Sequence, residues 1–138
     1  VQSDQERIVQ TVLALHPRAE AVYLFGSFGT EGELPGSDAD IAILLPAGEA
    51  AAGGALGLIE TRFALEKVLG RGVDLLNLRC VPTVLQKEVI LAERRIYCGD
   101  PFAADTFEML VLSLYQKLNE ERRGILEEGL RSGRFFAG

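Results

Sequence analysis

The run from Gly26 to Ile43, GSFGTEGELPGSDADIAI, constrains this chain more than any other segment. Gly26 and Ser27 close the apolar stretch Ala21 to Phe25, ten residues follow, and Asp38 and Asp40 open a second apolar stretch, Ile41 to Leu45. Short apolar runs bounded by Gly, Pro and Ser read as strands, here two neighbours joined by a long connection. Side chains alternate along a strand, so carboxylates at i and i+2 leave the same face and converge on one cation or a pair, while Ala39, Ile41 and Ile43 take the other face toward a core. Magnesium prefers carboxylate and phosphate oxygens and is commonly held by one or two carboxylates plus the substrate's own phosphates. The order of small residues and acids therefore suits a metal-bound triphosphate.

Asp74 is the candidate third acid, set in the otherwise apolar stretch Gly72 to Leu78. Aspartate is poor strand material and costly to bury unpaired, so in a strand it calls for a partner such as a cation. The plainer reading is a partly exposed position near a strand start. Taken singly, a Gly-Ser pair is an ordinary turn and Asp-x-Asp ordinary turn chemistry. Their fixed order between two strands, with an aspartate in a later one, carries the functional reading.

Gly26-Ser27, the ten-residue spacer, Asp38-Ala39-Asp40 and Asp74 resemble the DNA polymerase beta nucleotidyltransferase superfamily. The stretch Pro35-Gly36-Ser37-Asp38 resembles its minimal nucleotidyltransferase (MNT) branch in particular. The segment Glu93-Arg94-Arg95-Ile96-Tyr97-Cys98-Gly99-Asp100, followed by a long amphipathic helix, is similar to the C-terminal part of MntA-type antitoxins, which act beside a HEPN-domain toxin. The resemblance runs from about Val22 to Leu118, with its specific motif in the first half.

It implies transfer of AMP from ATP to a tyrosine hydroxyl of a HEPN ribonuclease, which the modification silences. Carried over by position, Gly26 lets the backbone approach the triphosphate, and Ser27, with Ser37, belongs to the nucleotide-binding set. Asp38 and Asp40 bind the magnesium ions, two in number. Asp74 holds the metal nearest the attacking hydroxyl and shares in removing its proton. Two such ions stabilise the attacking and leaving oxygens of an in-line displacement, so positioning and charge neutralisation carry the rate. One departure stands out: members of this branch usually carry a basic residue soon after the Gly-Ser, whereas Phe28, Gly29, Thr30 and Glu31 follow here. A phosphate contact is missing unless Thr30 or the backbone near Gly29 replaces it.

Three functions of different class fit these residues: the protein-modifying antitoxin, an adenylyltransferase for a small hydroxylated molecule, and a partner-binding protein without useful catalysis. All three acids are present, against the last. Relatives that modify antibiotics generally carry an extra helical domain, and little chain follows Tyr97.

With 138 residues, 48% of them hydrophobic, the chain suits one domain over 1–138, with a core of about 1–100 and a helical segment of about 101–130. A net charge of −6 and a pI near 4.8 disfavour stable DNA or RNA binding, which needs clustered Lys and Arg. No apolar run is long enough to span a membrane and the N-terminus lacks the order of a signal peptide, so the expected location is the cytoplasm. Cys80 and Cys98, far apart and outside any metal-ligand spacing, read as buried thiols. His16, the sole histidine, reads as a capping or surface residue.

The expected fold is α/β: a mixed sheet of three to four strands flanked by helices, with a long C-terminal amphipathic helix. Asp4 to Leu15 has helical apolar spacing, with Ser3 or Asp4 as cap and His16-Pro17 as stop. Strands follow at Ala21 to Phe25, Asp38 to Leu45 and Gly72 to Leu78, with Arg95 to Tyr97 as a short edge strand. Pro46 to Gly54 reads as a flexible loop, since it lacks the ending of a P-loop, and Ala55 to Leu69 as a helix. Another helix starts at Pro82 or Thr83. In the last, beginning near Pro101 to Ala104, Phe107, Leu110, Val111, Leu114 and Leu118 form a stripe that covers the sheet or meets a partner, either a second copy or the HEPN toxin. Beyond Asn119 the charges read as a solvated face, and Phe135-Phe136 as a docking pair or a fold-back.

Overall fold

A computed structural model describes residues 3–33, 36–53 and 56–132. Pro35, the Gly54-Ala55 junction and the Phe135-Phe136 pair lie outside these residues.

The first helix, α1 (Asp4–Leu15), opens on a Ser-x-x-Glu sequence, and Ser3 accepts a hydrogen bond from the Glu6 amide at 3.2 Å. It closes at His16, whose amide donates to Val12 O at 2.6 Å, just before Pro17. Strands β1 (Ala21–Phe25) and β2 (Ala39–Leu44) pair antiparallel, and β3 (Val73–Asn77) lies parallel to β2. A parallel neighbour needs a crossover. Helices α2 (Ala47–Gly53) and α3 (Leu56–Leu69) supply it. After a 3-10 turn at Leu78–Cys80 come α4 (Thr83–Leu91), the strand β4 (Arg95–Cys98), antiparallel to β1, and α5 (Pro101–Ser132). The strand order is β3-β2-β1-β4.

Both faces of this sheet are covered. Ile8 and Val12 of α1 and Leu65 of α3 pack with Val22, Leu24, Ile41 and Ile43 on one face. On the other, Val89 and Ile90 of α4 and Ala104, Phe107 and Val111 of α5 pack with Ala21, Tyr23, Ala42 and Leu44. Tyr23 is buried and donates its hydroxyl to Glu108 Oε2 at 2.8 Å. Burial first, then that carboxylate, pushes its phenol well above the usual range. Arg95 donates to the same Glu108 oxygen at 2.7 Å and to Asp105 at 3.0 Å, so β4 and α5 are tied by one polar cluster.

Three local expectations change, and one, the capping role of His16, holds and is extended. The Ala- and Gly-rich segment after Pro46 is helical: Ala50 is buried, its amide donates to Pro46 O at 2.9 Å, and alanine's helix propensity outweighs the glycines. His16 uses its ring as well as its backbone, with Nε2 2.7 Å from Oγ1 of Thr61, a residue only 1% exposed. Cys80 is exposed and Cys98 half-buried. The 3-10 turn sends Leu78 into the core, and Cys80 faces outward. Finally, the apolar stripe of α5 divides: Phe107 and Val111 are buried on the sheet, whereas Leu110, Leu114 and Leu118 are exposed.

Candidate active site

The pairing register decides where the acids fall. Asp40 is opposite Asp74 across the parallel β2-β3 pair and opposite Phe25 across the antiparallel β1-β2 pair. Residues in register share a face, so Asp40 and Asp74 project together, on the face that Ala42 and Leu44 occupy further along. Asp38 immediately precedes β2, where the Ala39 amide donates to Gly72 O at 2.9 Å. All three aspartates thus lie at one end of the sheet.

Two glycines make room for them. A Cβ at Gly26 would overlap Asp40 Oδ2, and a Cβ at Gly72 would overlap Asp38 Oδ1. Gly26 also has a φ of 65°, which side-chain-bearing residues seldom adopt. Gly26 was expected to permit close approach, and its neighbour is Asp40. Gly72 was not singled out, although a glycine two residues before a strand aspartate is the available signal.

Burial first, then the charges of Asp74 and Asp38, raise the Asp40 carboxyl above its ordinary range, with Arg94 acting the other way. Burial and like charge outweigh the one guanidinium that opposes them. Among the described residues, however, no three His, Cys, Asp or Glu side chains are gathered closely enough to hold an ion unaided. Oxygen-only donors on two neighbouring strands suit magnesium when phosphate oxygens complete the coordination.

The turn after β1 is closed by its own atoms. Thr30 donates its amide and its hydroxyl to Ser27 O at 3.0 and 2.7 Å, so the Thr30 hydroxyl serves the turn. Gly29 donates its amide to Glu33 Oε2 at 3.0 Å, and Arg71 pairs with Glu33. The Arg71 bond, then the Gly29 amide, hold the Glu33 carboxyl below its usual range. Glu31 is exposed, Ser27 is half-buried, and Ser37 sits half-buried just before Asp38.

Arg94 reaches this turn from the start of β4. Its guanidinium donates to Gly26 O at 3.1 Å and to Phe28 O. From the sequence, Arg94, Arg95 and Lys87 are each possible phosphate contacts whose plainer state is solvent exposure; Arg94 is half-buried here. What brings it here is the antiparallel β1-β4 pairing, which puts the first residues of β4 beside the last of β1; Leu24 donates its amide to Arg94 O at 2.9 Å.

Known proteins share this fold. The protein adenylyltransferase MntA of Shewanella oneidensis is 29% identical over 130 residues, 92% of this chain and 88% of that protein. A chain in the crystal structure of a toxin-antitoxin with AMP-PNP superposes with a TM-score of 0.75 at 26% identity, over 93% of this chain and 99% of that one. A chain from the tri-AMPylated Shewanella oneidensis HEPN toxin in complex with MNT antitoxin gives a TM-score of 0.70 at 26% identity, over 92% and 96%. Residues 7–102, most of the chain, match the family described as polymerase beta, nucleotidyltransferase. By that match, this chain belongs to the polymerase beta nucleotidyltransferase family.

Proposed function

We propose that this chain is the antitoxin of a HEPN/MNT pair and transfers AMP from ATP to a tyrosine hydroxyl of its HEPN toxin, releasing pyrophosphate. The observation that carries this reading is the register of Asp40 against Asp74, with Asp38 beside them and Gly26 and Gly72 leaving the carboxylates room. The MntA relative, named a protein adenylyltransferase, and the AMPylated toxin held with an MNT antitoxin support the acceptor.

In this reading Gly26 admits the triphosphate beside Asp40, and the hydroxyls of Ser27 and Ser37 donate to phosphate oxygens. Magnesium, held by Asp38, Asp40 and Asp74 together with phosphate oxygens, supplies charge neutralisation along the triphosphate. The tyrosine oxygen attacks the α-phosphorus, the new O–P bond forms, and the bond from that phosphorus to the bridging oxygen of pyrophosphate breaks. Asp74, exposed on the edge strand β3, takes the tyrosine proton. An acceptor presented by a partner protein can reach that open edge. The setting is cytoplasmic, where ATP and magnesium are supplied; among the described residues no helix is long and apolar enough to cross a membrane.

Intact-mass spectrometry of the HEPN partner, incubated with this protein, ATP and magnesium, tests the reading. A mass gain in AMP units that the Asp38→Ala/Asp40→Ala double variant cannot produce is the expected result. A partner that binds yet gains no mass would overturn transfer and leave an antitoxin that works by binding alone. Labelling of small hydroxylated compounds, with the partner unmodified, would move the assignment to a small-molecule enzyme.

A further inference from the structure

No basic residue follows Ser27 through Glu31, the place where the resemblance noted above leads one to expect a cation. Resting on the nucleotidyltransferase reading above, we propose that Arg94 takes that place from the far side of the sheet, as the positioning residue of the Gly-Ser turn and the cation of its triphosphate site.

The geometry is specific. One guanidinium bridges two carbonyls of the turn, Gly26 O at 3.1 Å through Nη1 and Phe28 O through Nη2. Because the peptide unit is planar and trans, fixing those two carbonyls turns the amides of Ser27 and Gly29 the opposite way. The Gly29 amide is then received by Glu33. The turn is shaped for this bridge: Gly26 and Gly29 take φ of 65° and 74°, and a Cβ at Gly29 would stand 3.1 Å from Arg94 Nη2. On its own side, Arg94 is fixed by the Leu24 amide, which donates to its carbonyl, and by Glu93, which takes a left-handed φ of 56° without being glycine. Such a conformation in a non-glycine residue is uncommon, and here it turns the chain from α4 into β4 one residue ahead of Arg94.

Charge makes the same case. Arg71, the other guanidinium near the turn, is engaged by Glu33 and stacks 5.2 Å from the Phe28 ring. Arg94 hydrogen-bonds only neutral carbonyls there; its charge acts on Asp40 and Glu33, but among the described residues it forms no ion pair with either. A guanidinium has five N–H donors and keeps its charge at any physiological pH, so bridging two carbonyls leaves both donors and charge for an anion. A triphosphate arriving at Gly26 and Ser27 meets that cation at the turn.

Arg94→Met and Arg94→Lys distinguish this role from simple bracing. Equilibrium binding of a non-hydrolysable ATP analogue with magnesium, followed by AMP transfer to the HEPN partner, is measured for the intact protein and both variants. Arg94→Met is expected to weaken analogue binding about ten- to a hundred-fold, the scale of losing a charge-assisted bond, and to raise KM for ATP more than it lowers kcat. Arg94→Lys returns the charge without the fork and is expected to recover part of the loss. Binding by Arg94→Met should also depend less on salt than that of the wild type. If Arg94→Met melts earlier but its folded fraction binds the analogue within about two-fold of wild type, the inference falls while the nucleotidyltransferase reading stands. A wild-type protein that binds no analogue would remove both.

Discussion

At neutral pH Asp38, Asp40 and Asp74 bring three negative charges to one end of the sheet, and Asp40 bears the cost. Its carboxyl is raised by burial first and by Asp74 and Asp38 next. A raised carboxyl pKa means that the native state holds its proton more tightly than the unfolded chain does. Stability therefore falls as pH rises from the ordinary value of 3.8 through the raised one, and the whole cost is present at neutral pH. Solvent screens part of the repulsion, since Asp40 is only half-buried. Asp40→Asn removes the charge at nearly constant shape. Without magnesium it is expected to raise Tm at pH 7.5 by roughly 2–4 °C, a gain that shrinks as pH is lowered toward 4. The same variant is expected to lose AMP transfer and the stabilisation that magnesium and ATP give the wild type. Thermal melts across pH, with and without nucleotide, check all three. A variant that melts below wild type at pH 7.5 would show that Asp40 is structural instead of a strained functional acid.

Between elements, the links with a local signature were legible in the sequence and those made by distant partners were not. The capping of α1 by Ser3 and the spacing of apolar residues along β1 and β2 are written in adjacent positions, whereas Asp38 falls one residue before β2, so strand alternation does not by itself place it beside Asp40. Asp74 was legible as an aspartate among apolar neighbours, but its register against Asp40 depends on which strand lies beside β2. Arg94 lies 68 residues from Gly26 in sequence and reaches it through the β1-β4 pairing. Helix α2 was hidden because its glycines spoke louder than its alanines, while the contact that secures it, Asn77 Nδ2 to Ala50 O at 3.2 Å, comes from β3. The bond between His16 and Thr61 is of the same kind: it joins the end of α1 to the middle of α3 across 45 residues. Thr61→Val keeps the shape and removes the hydroxyl, leaving the His16 ring without its partner. We expect it to cost about 1–2 kcal/mol, with His16→Ala adding much less than its own single effect when the two are combined. Denaturant melts of the two single variants and the double check the coupling. Full additivity would mean that the pair does not join the helices.

The molecule as a whole is smaller than its last helix requires. At 1.5 Å per residue the 32 residues of α5 extend about 48 Å, whereas the longest strand, six residues, covers about 20 Å. Ala104, Phe107 and Val111 use the first third of the helix to cover the sheet; Leu110, Leu114 and Leu118, on successive turns, remain 59%, 46% and 42% exposed. Isolated helices are marginal in water, so an apolar row running past its own core gains most from a second surface. In the antitoxin reading that surface belongs to the HEPN toxin, which must be held long enough for its tyrosine to reach the open edge beside Asp74. Leu110→Asp with Leu114→Asp places two charges in the row while touching neither the sheet nor the acids. Exposed substitutions of this kind usually change stability by no more than about 0.5 kcal/mol, so Tm and nucleotide binding should match the wild type. Affinity for the toxin should fall at least about ten-fold, and transfer at fixed toxin concentration should fall with it. Saturating toxin should restore the rate, because the chemistry is intact and only docking is lost. If the double variant binds the toxin as tightly as wild type, the partner sits elsewhere and the exposed row serves another contact; if transfer fails even at saturation, α5 positions the acceptor as well as holding it.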